Sequence, residues 1–107
     1  MPDFGSPFSG LANGRKLTQA ELVRAVRFMI AAEYEAVQLY MQLAESTDNA
    51  LAVEVLKDIA DEERVHAGEF LRLLQELAPD EAKFYAEGAE EVEEEIAKHK
   101  GRKKPRK

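Results

Sequence analysis

ALAVEVLKDIADEERVHAGEFLRLLQEL, residues 50–77, carries its apolar side chains at alternating steps of four and three. Ala52, Leu56, Ile59, Phe70, Leu73 and Leu77 obey that rule, Glu63 and His66 sit in the same row, and Val53, Ala60, Ala67 and Leu74 make an apolar flank beside it. Such spacing returns to one side of an α-helix, so the segment predicts a helix with a wide buried face. Upstream, Leu22, Val26, Met29, Glu33, Ala36, Tyr40 and Leu43 repeat the pattern, with Val23, Ile30, Val37 and Ala44 as their flank. Acidic or imidazole groups enter these two seams only at Glu33, Glu63 and His66.

The boundaries follow from capping chemistry. Thr18 with Glu21 forms a capping box that starts the first helix, which runs to about Glu45. Ser46, Thr47, Asp48 and Asn49 supply a turn and an N-cap for a second helix over Ala50–Leu77. Ala78, Pro79 and Asp80 stop that helix, Asp80 caps a shorter third one reaching roughly Lys98, and Gly101 ends it. No strand-like alternation occurs, so the class is all-α. The short first connection forces an antiparallel two-helix hairpin, followed by a short C-terminal helix. Residues 1–16, rich in Gly, Ser and Pro, read as a flexible segment with Phe4 and Phe8 as docking points on a neighbour. Residues 17–99 form the helical domain, and 100–107 a basic tail.

A chain of 107 residues allows one domain, and a hairpin of this size buries little apolar surface alone, so self-association is expected. No apolar run of membrane-spanning length and no secretory signal is read, which gives a cytoplasmic expectation without membrane insertion. The absence of cysteine removes disulfides, thiolate zinc, iron–sulfur ligation and thiol nucleophiles. Any metal must be held by oxygen and imidazole. Residues 1–100 hold ten basic against twenty-one acidic groups, a net of −11, because five of the fifteen basic residues fall in the last seven positions. An acidic body attracts cations and repels nucleic acid.

Carboxylates in an apolar core cost several kcal/mol unless paired, protonated or metal-bound. With the turn near Thr47 and Asp48, residues whose numbers sum to about 95 stand at equal height, which brings Glu33 within about one turn of Glu63 and His66. Glu63 and His66 form a Glu-x-x-His pair facing one way. One chain gives only two carboxylates and one imidazole, whereas two hairpins give the ligand set of di-iron carboxylate bundles, so metal binding and dimerisation are expected to be coupled. The metal would be iron, two ions per homodimer.

AlaGluTyrGluAla at 32–36 followed by AspGluGluArgValHis at 61–66 resembles the ferritin-like and rubrerythrin-like superfamily. A two-helix hairpin with one Glu, one Glu-x-x-His and a short third helix resembles the encapsulated ferritins over roughly residues 16–98. The resemblance implies a four-helix ferritin-like bundle made by a dimer and a di-iron ferroxidase centre at the dimer interface. It also implies a ring-like higher homo-oligomer and an encapsulin shell protein as partner, with the chain inside that nanocompartment. Glu33, Glu63 and His66 match the family's ligands, and Tyr40 matches an aromatic position near the centre. The apolar targeting extension common in encapsulin cargo is replaced by GRKKPRK.

Other residues have plainer readings. Tyr40 also suits ordinary core packing. Glu35, Glu62 and Glu69 read as solvated surface, with an ion-entry role for Glu35 or Glu62 as the sharper alternative. Glu87, Glu90, Glu91, Glu93, Glu94 and Glu95 surround an apolar row of Phe84, Gly88, Val92 and Ile96, so the third helix should dock on the bundle or on a neighbour. His99, among lysines, reads as inert. Phe28, Tyr34, Leu39 and Met41 lie off the first seam and point to contacts beyond the hairpin. Two rival functions are a rubrerythrin-like peroxide-scavenging di-iron protein and a non-enzymatic helical module whose interface is stabilised by metal.

Overall fold

The computed structural model describes residues 14–103, and the expectations for Phe4 and Phe8 and for residues 104–107 lie outside them. The described residues form three helices, α1 over Gln19–Glu45, α2 over Ala50–Leu77 and α3 over Pro79–Lys103, with no strand among them. The all-α class and the hairpin are as the sequence predicts.

α1 opens on the expected capping box. Glu21 N donates to Thr18 Oγ1 at 3.2 Å and Thr18 N donates to Glu21 Oε1 at 2.9 Å. Arg15 adds a forked pair to the same carboxylate at 2.7 and 2.6 Å. In the turn, Ser46 N bonds Leu43 O at 3.0 Å, and Asn49 caps α2 by accepting from Ala52 N at 2.9 Å.

The hairpin closes on the flanking rows rather than on the seams. Val26, Ile30, Val37 and Ala44 of α1 and Ala60, Ala67 and Leu74 of α2 are buried, and Val23, Phe70, Leu71 and Leu77 pack around the Val26–Ile30–Leu74 cluster. Most seam residues are half-exposed instead: Leu22, Met29, Leu43 and Leu73 all keep more than a third of their surface in solvent. The physical reason is that two helices use only one line of contact, and alanines at positions 44, 60 and 67 let the backbones approach there. The wide apolar face of each helix therefore leaves a second face for other helices. No charged or polar residue is buried among the described ones, so the expected core placement of Glu33, Glu63 and His66 is corrected to the open edge of the hairpin.

The third helix also differs from expectation. Pro79, not a residue after Asp80, is its first position, since a missing N–H and fixed φ suit the first turn of a helix. A single residue, Ala78, separates α2 from α3, and its N–H reaches Leu74 O at 2.8 Å. The helix continues through Gly101 to Lys103 because basic residues complement the carboxyl end of the helix dipole. Its base is tied to α1 by an Arg27–Glu81 ion pair and a Tyr85–Glu81 hydrogen bond. Beyond Glu81 every residue of α3 through Gly101 is exposed. The helix thus projects from the hairpin instead of docking on it, giving a molecule of 69 × 45 × 23 Å.

Candidate metal centre

Three helical turns deliver the site. Glu33 comes from the middle of α1, and Glu63 and His66, three apart, come from the facing stretch of α2, so the antiparallel pairing of the helices sets their height. His66 Nδ1 stands 3.5 Å from Glu33 Oε2 and 3.7 Å from Glu63 Oε2. One ligand atom from each of the three residues fits within a mutual distance of 4.8 Å, the spacing a single cation spans. Both carboxylate side chains are 18% exposed and the imidazole 50%, so the group is walled on the hairpin side and open on the other.

The electrostatics are those of a cation site. Glu33 Oε2 is buried and has no hydrogen-bond partner, which is costly for an acceptor removed from water. The proton that Glu33 shares with Glu63 raises its pKa above the ordinary carboxylate value. Burial and the Glu63 charge add to this, and His66 pulls the other way. A cation would remove each cause at once by accepting the orphan lone pair and neutralising both carboxylates. The donor set of two carboxylates and one imidazole, without sulfur, suits iron, manganese or zinc. These residues therefore fit a metal, though three side chains leave its coordination incomplete within one chain.

Tyr40 is half-buried on the same seam, seven residues and about 10 Å along the axis from Glu33, so it does not join the cluster. Glu35 and Glu62 are exposed. Glu69, read from the sequence as solvated surface, lines a cavity of about 400 Å³ with Glu33, His66, Phe70 and Leu73. Its signal was the spacing of three from His66, which puts both residues beside one opening. His99 stays on the exposed length of α3, away from the hairpin seam.

A profile of the family described as Rubrerythrin matches residues 25–103, the span holding all three groups. The chain belongs to the rubrerythrin family. Within it, this rubrerythrin-family chain is 40% identical over 85 residues to the encapsulin nanocompartment cargo protein EncC of Myxococcus xanthus, covering 79% of this chain and 65% of that one. It is 39% identical over 77 residues to a ferritin-like–encapsulin shell fusion protein of Pyrococcus furiosus, covering 72% of this chain and 22% of the fusion. The chain thus spans less than two thirds of both relatives. The crystal structure of the encapsulated ferritin domain from Pyrococcus furiosus superposes with a TM-score of 0.77 at 33% identity, covering 86% of this chain and 94% of that domain. The ferritin-like fold and the kinship with encapsulated ferritins are therefore as the sequence predicts. No helix among the described residues is long and apolar enough to cross a membrane.

Proposed function

We propose that the chain is a ferroxidase: two copies join the edges that carry Glu33, Glu63 and His66, and the joined site oxidises Fe(II) with dioxygen. The observation that carries this reading is the convergence of two carboxylates and an imidazole, with an orphaned buried oxygen, on an apolar face that the hairpin leaves uncovered. Proteins of this family bind iron and often act as oxidoreductases. A twofold copy supplies four carboxylates and two imidazoles, which balances two divalent ions. It also covers Leu22, Met29, Leu43 and Leu73, whose exposure is otherwise unfavourable.

Fe(II) is the substrate. Each ion loses one electron, and dioxygen accepts the electrons. The side chains bind, space and neutralise: Glu33 and Glu63 offset the charge that grows on oxidation, and His66 fixes one donor direction per chain. Glu69 lies at the mouth and draws cations inward. The oxidised iron is passed to a mineral store, and the names of the relatives support an encapsulin shell in the cytoplasm as its container. Mixing Fe(II) with aerated protein tests the reading. Oxidation should run at least tenfold faster than with the Glu63→Ala chain, with dioxygen outpacing an equal concentration of peroxide. Equal rates for the two chains, or site saturation by zinc with no iron oxidation, would leave only a metal-stabilised module.

A further inference from the structure

The hairpin has a second groove, on the side of the buried row away from the metal centre. Its two stretches, of about 440 and 340 Å³, share Tyr34 and Leu71 and are therefore continuous. Tyr34 is 53% exposed there, so an apolar channel faces solvent. One stretch carries Arg64 and the other Arg27, and no acidic side chain lines either, although residues 1–100 have a net charge of −11. Arg64 is occupied only by an exposed Asp61 three residues away, a pair worth at most about 1 kcal/mol and easily exchanged.

The complementary surface is on α3. Phe84, Val92 and Ile96 are 64%, 56% and 39% exposed on one row, flanked by Glu91 and Glu95 on one side and Glu93 on the other. A lone helix of this length is marginal in water without packing along its face. Its own groove is beyond reach: Ala78 alone links it to α2, whereas an antiparallel return takes a loop of about two to five residues. The Arg27–Glu81–Tyr85 ties fix its base pointing outward. A three-helix bundle of these segments would be about 42 Å long, against the 69 Å observed.

We infer that α3 of one chain lies in the Tyr34–Gly68–Leu71 groove of a second copy, with its acidic flanks against Arg64, and that the exchange is mutual. The occupant is a second copy because the row, the charge and the span of this helix match the groove, and its own chain cannot deliver it. The interface is distinct from the metal edge and forms without metal. Two glycines also find a use. Gly68 in the groove and Gly88 on the α3 row sit inside helices, where each costs about 1 kcal/mol relative to Ala, and neither would meet a neighbouring atom if it carried a Cβ. Their open space within the chain is where the exchanged helices cross closely.

Light scattering on the full chain in chelator tests this, with circular dichroism as control for folding. The wild-type chain should have at least twice the monomer mass. Gly68→Gln and Gly88→Gln, which favour the helix, should raise helicity yet weaken association at least tenfold. Unchanged association in both would overturn the inference. Because the chain has no cysteine, Gly68→Cys chains mixed with Val92→Cys chains should form a disulfide between the two kinds. Failure to cross-link, or preferential bridging of Val92→Cys chains to one another, would also overturn it. Either failure would leave the ferroxidase reading untouched, since the metal groups are unaltered and no metal is present.

Discussion

Glu33 is the residue on which the electrostatics of the centre turn. Its raised pKa arises first from the proton shared with Glu63, then from burial and the Glu63 charge, with His66 opposing. In the metal-free fold this carboxyl holds its proton at pH values where the unfolded chain has lost it. Metal-free stability should accordingly fall as pH rises from the ordinary carboxylate value of 4.5 through the raised one. Glu33→Gln removes the ionisation. It should flatten that dependence and stabilise the metal-free chain by about 1 kcal/mol, or a rise of about 4 °C or more in Tm. The same variant should lose metal binding. Calorimetric scans across pH check the first half and metal analysis the second; a Gln chain less stable than wild type would contradict it. The three groups were legible in the sequence because nothing else acidic or basic interrupts two apolar rows. Glu69 was not, since it falls one step off the row and its membership of the opening depends on how the helices are rotated.

At the scale of the helices, rotation is what the sequence left open. The spacing predicts both helices and their caps, but each has two adjacent apolar rows, and periodicity alone does not say which row faces the partner helix. The small side chains at Ala44, Ala60 and Ala67 settle it by allowing close approach, which leaves the seams with Leu22, Met29, Leu43 and Leu73 half-exposed. The two rows should therefore respond differently to truncation. Leu74→Ala, at a site 1% exposed, should cost about 2–5 kcal/mol in denaturant unfolding of the metal-free chain. Leu73→Ser, beside it but on the seam and 44% exposed, should cost under about 1 kcal/mol while weakening iron-linked association. The reverse order would mean that the seams close the hairpin. The start of α1 gives a second test. Arg15 and the capping box hold the Glu21 carboxyl down to about 2 from its model-compound 4.5. A lowered carboxylate stabilises the fold fully above 4.5, and that contribution disappears as pH falls toward 2. Glu21→Gln should lose this part of the acid dependence, as helicity measured between those pH values will report. The course of α3 was less legible, because Gly101 reads as a stop while the basic residues around it favour prolonging the helix end.

For the whole molecule, a single chain is two unfinished surfaces. One edge carries a half-set of metal ligands amid exposed apolar side chains, and the opposite side carries a groove that matches a helix the chain cannot fold into it. Self-association was readable from length and composition, but the separation of the two surfaces needed coordinates, since it depends on the direction in which α3 leaves the hairpin. The two contacts lie on different faces, so together they would propagate into a closed ring, and iron would strengthen it by mass action. Native mass spectrometry of Fe(II)-loaded protein without oxygen, in a Val92→Glu background that removes the α3 contact, tests the shared centre most directly. The expected spectrum has iron only on dimers, two ions each, with iron-free monomers and no dimer once Glu63→Ala is added. Iron retained on monomers, or dimers that persist without ligands or metal, would contradict a centre completed by two chains.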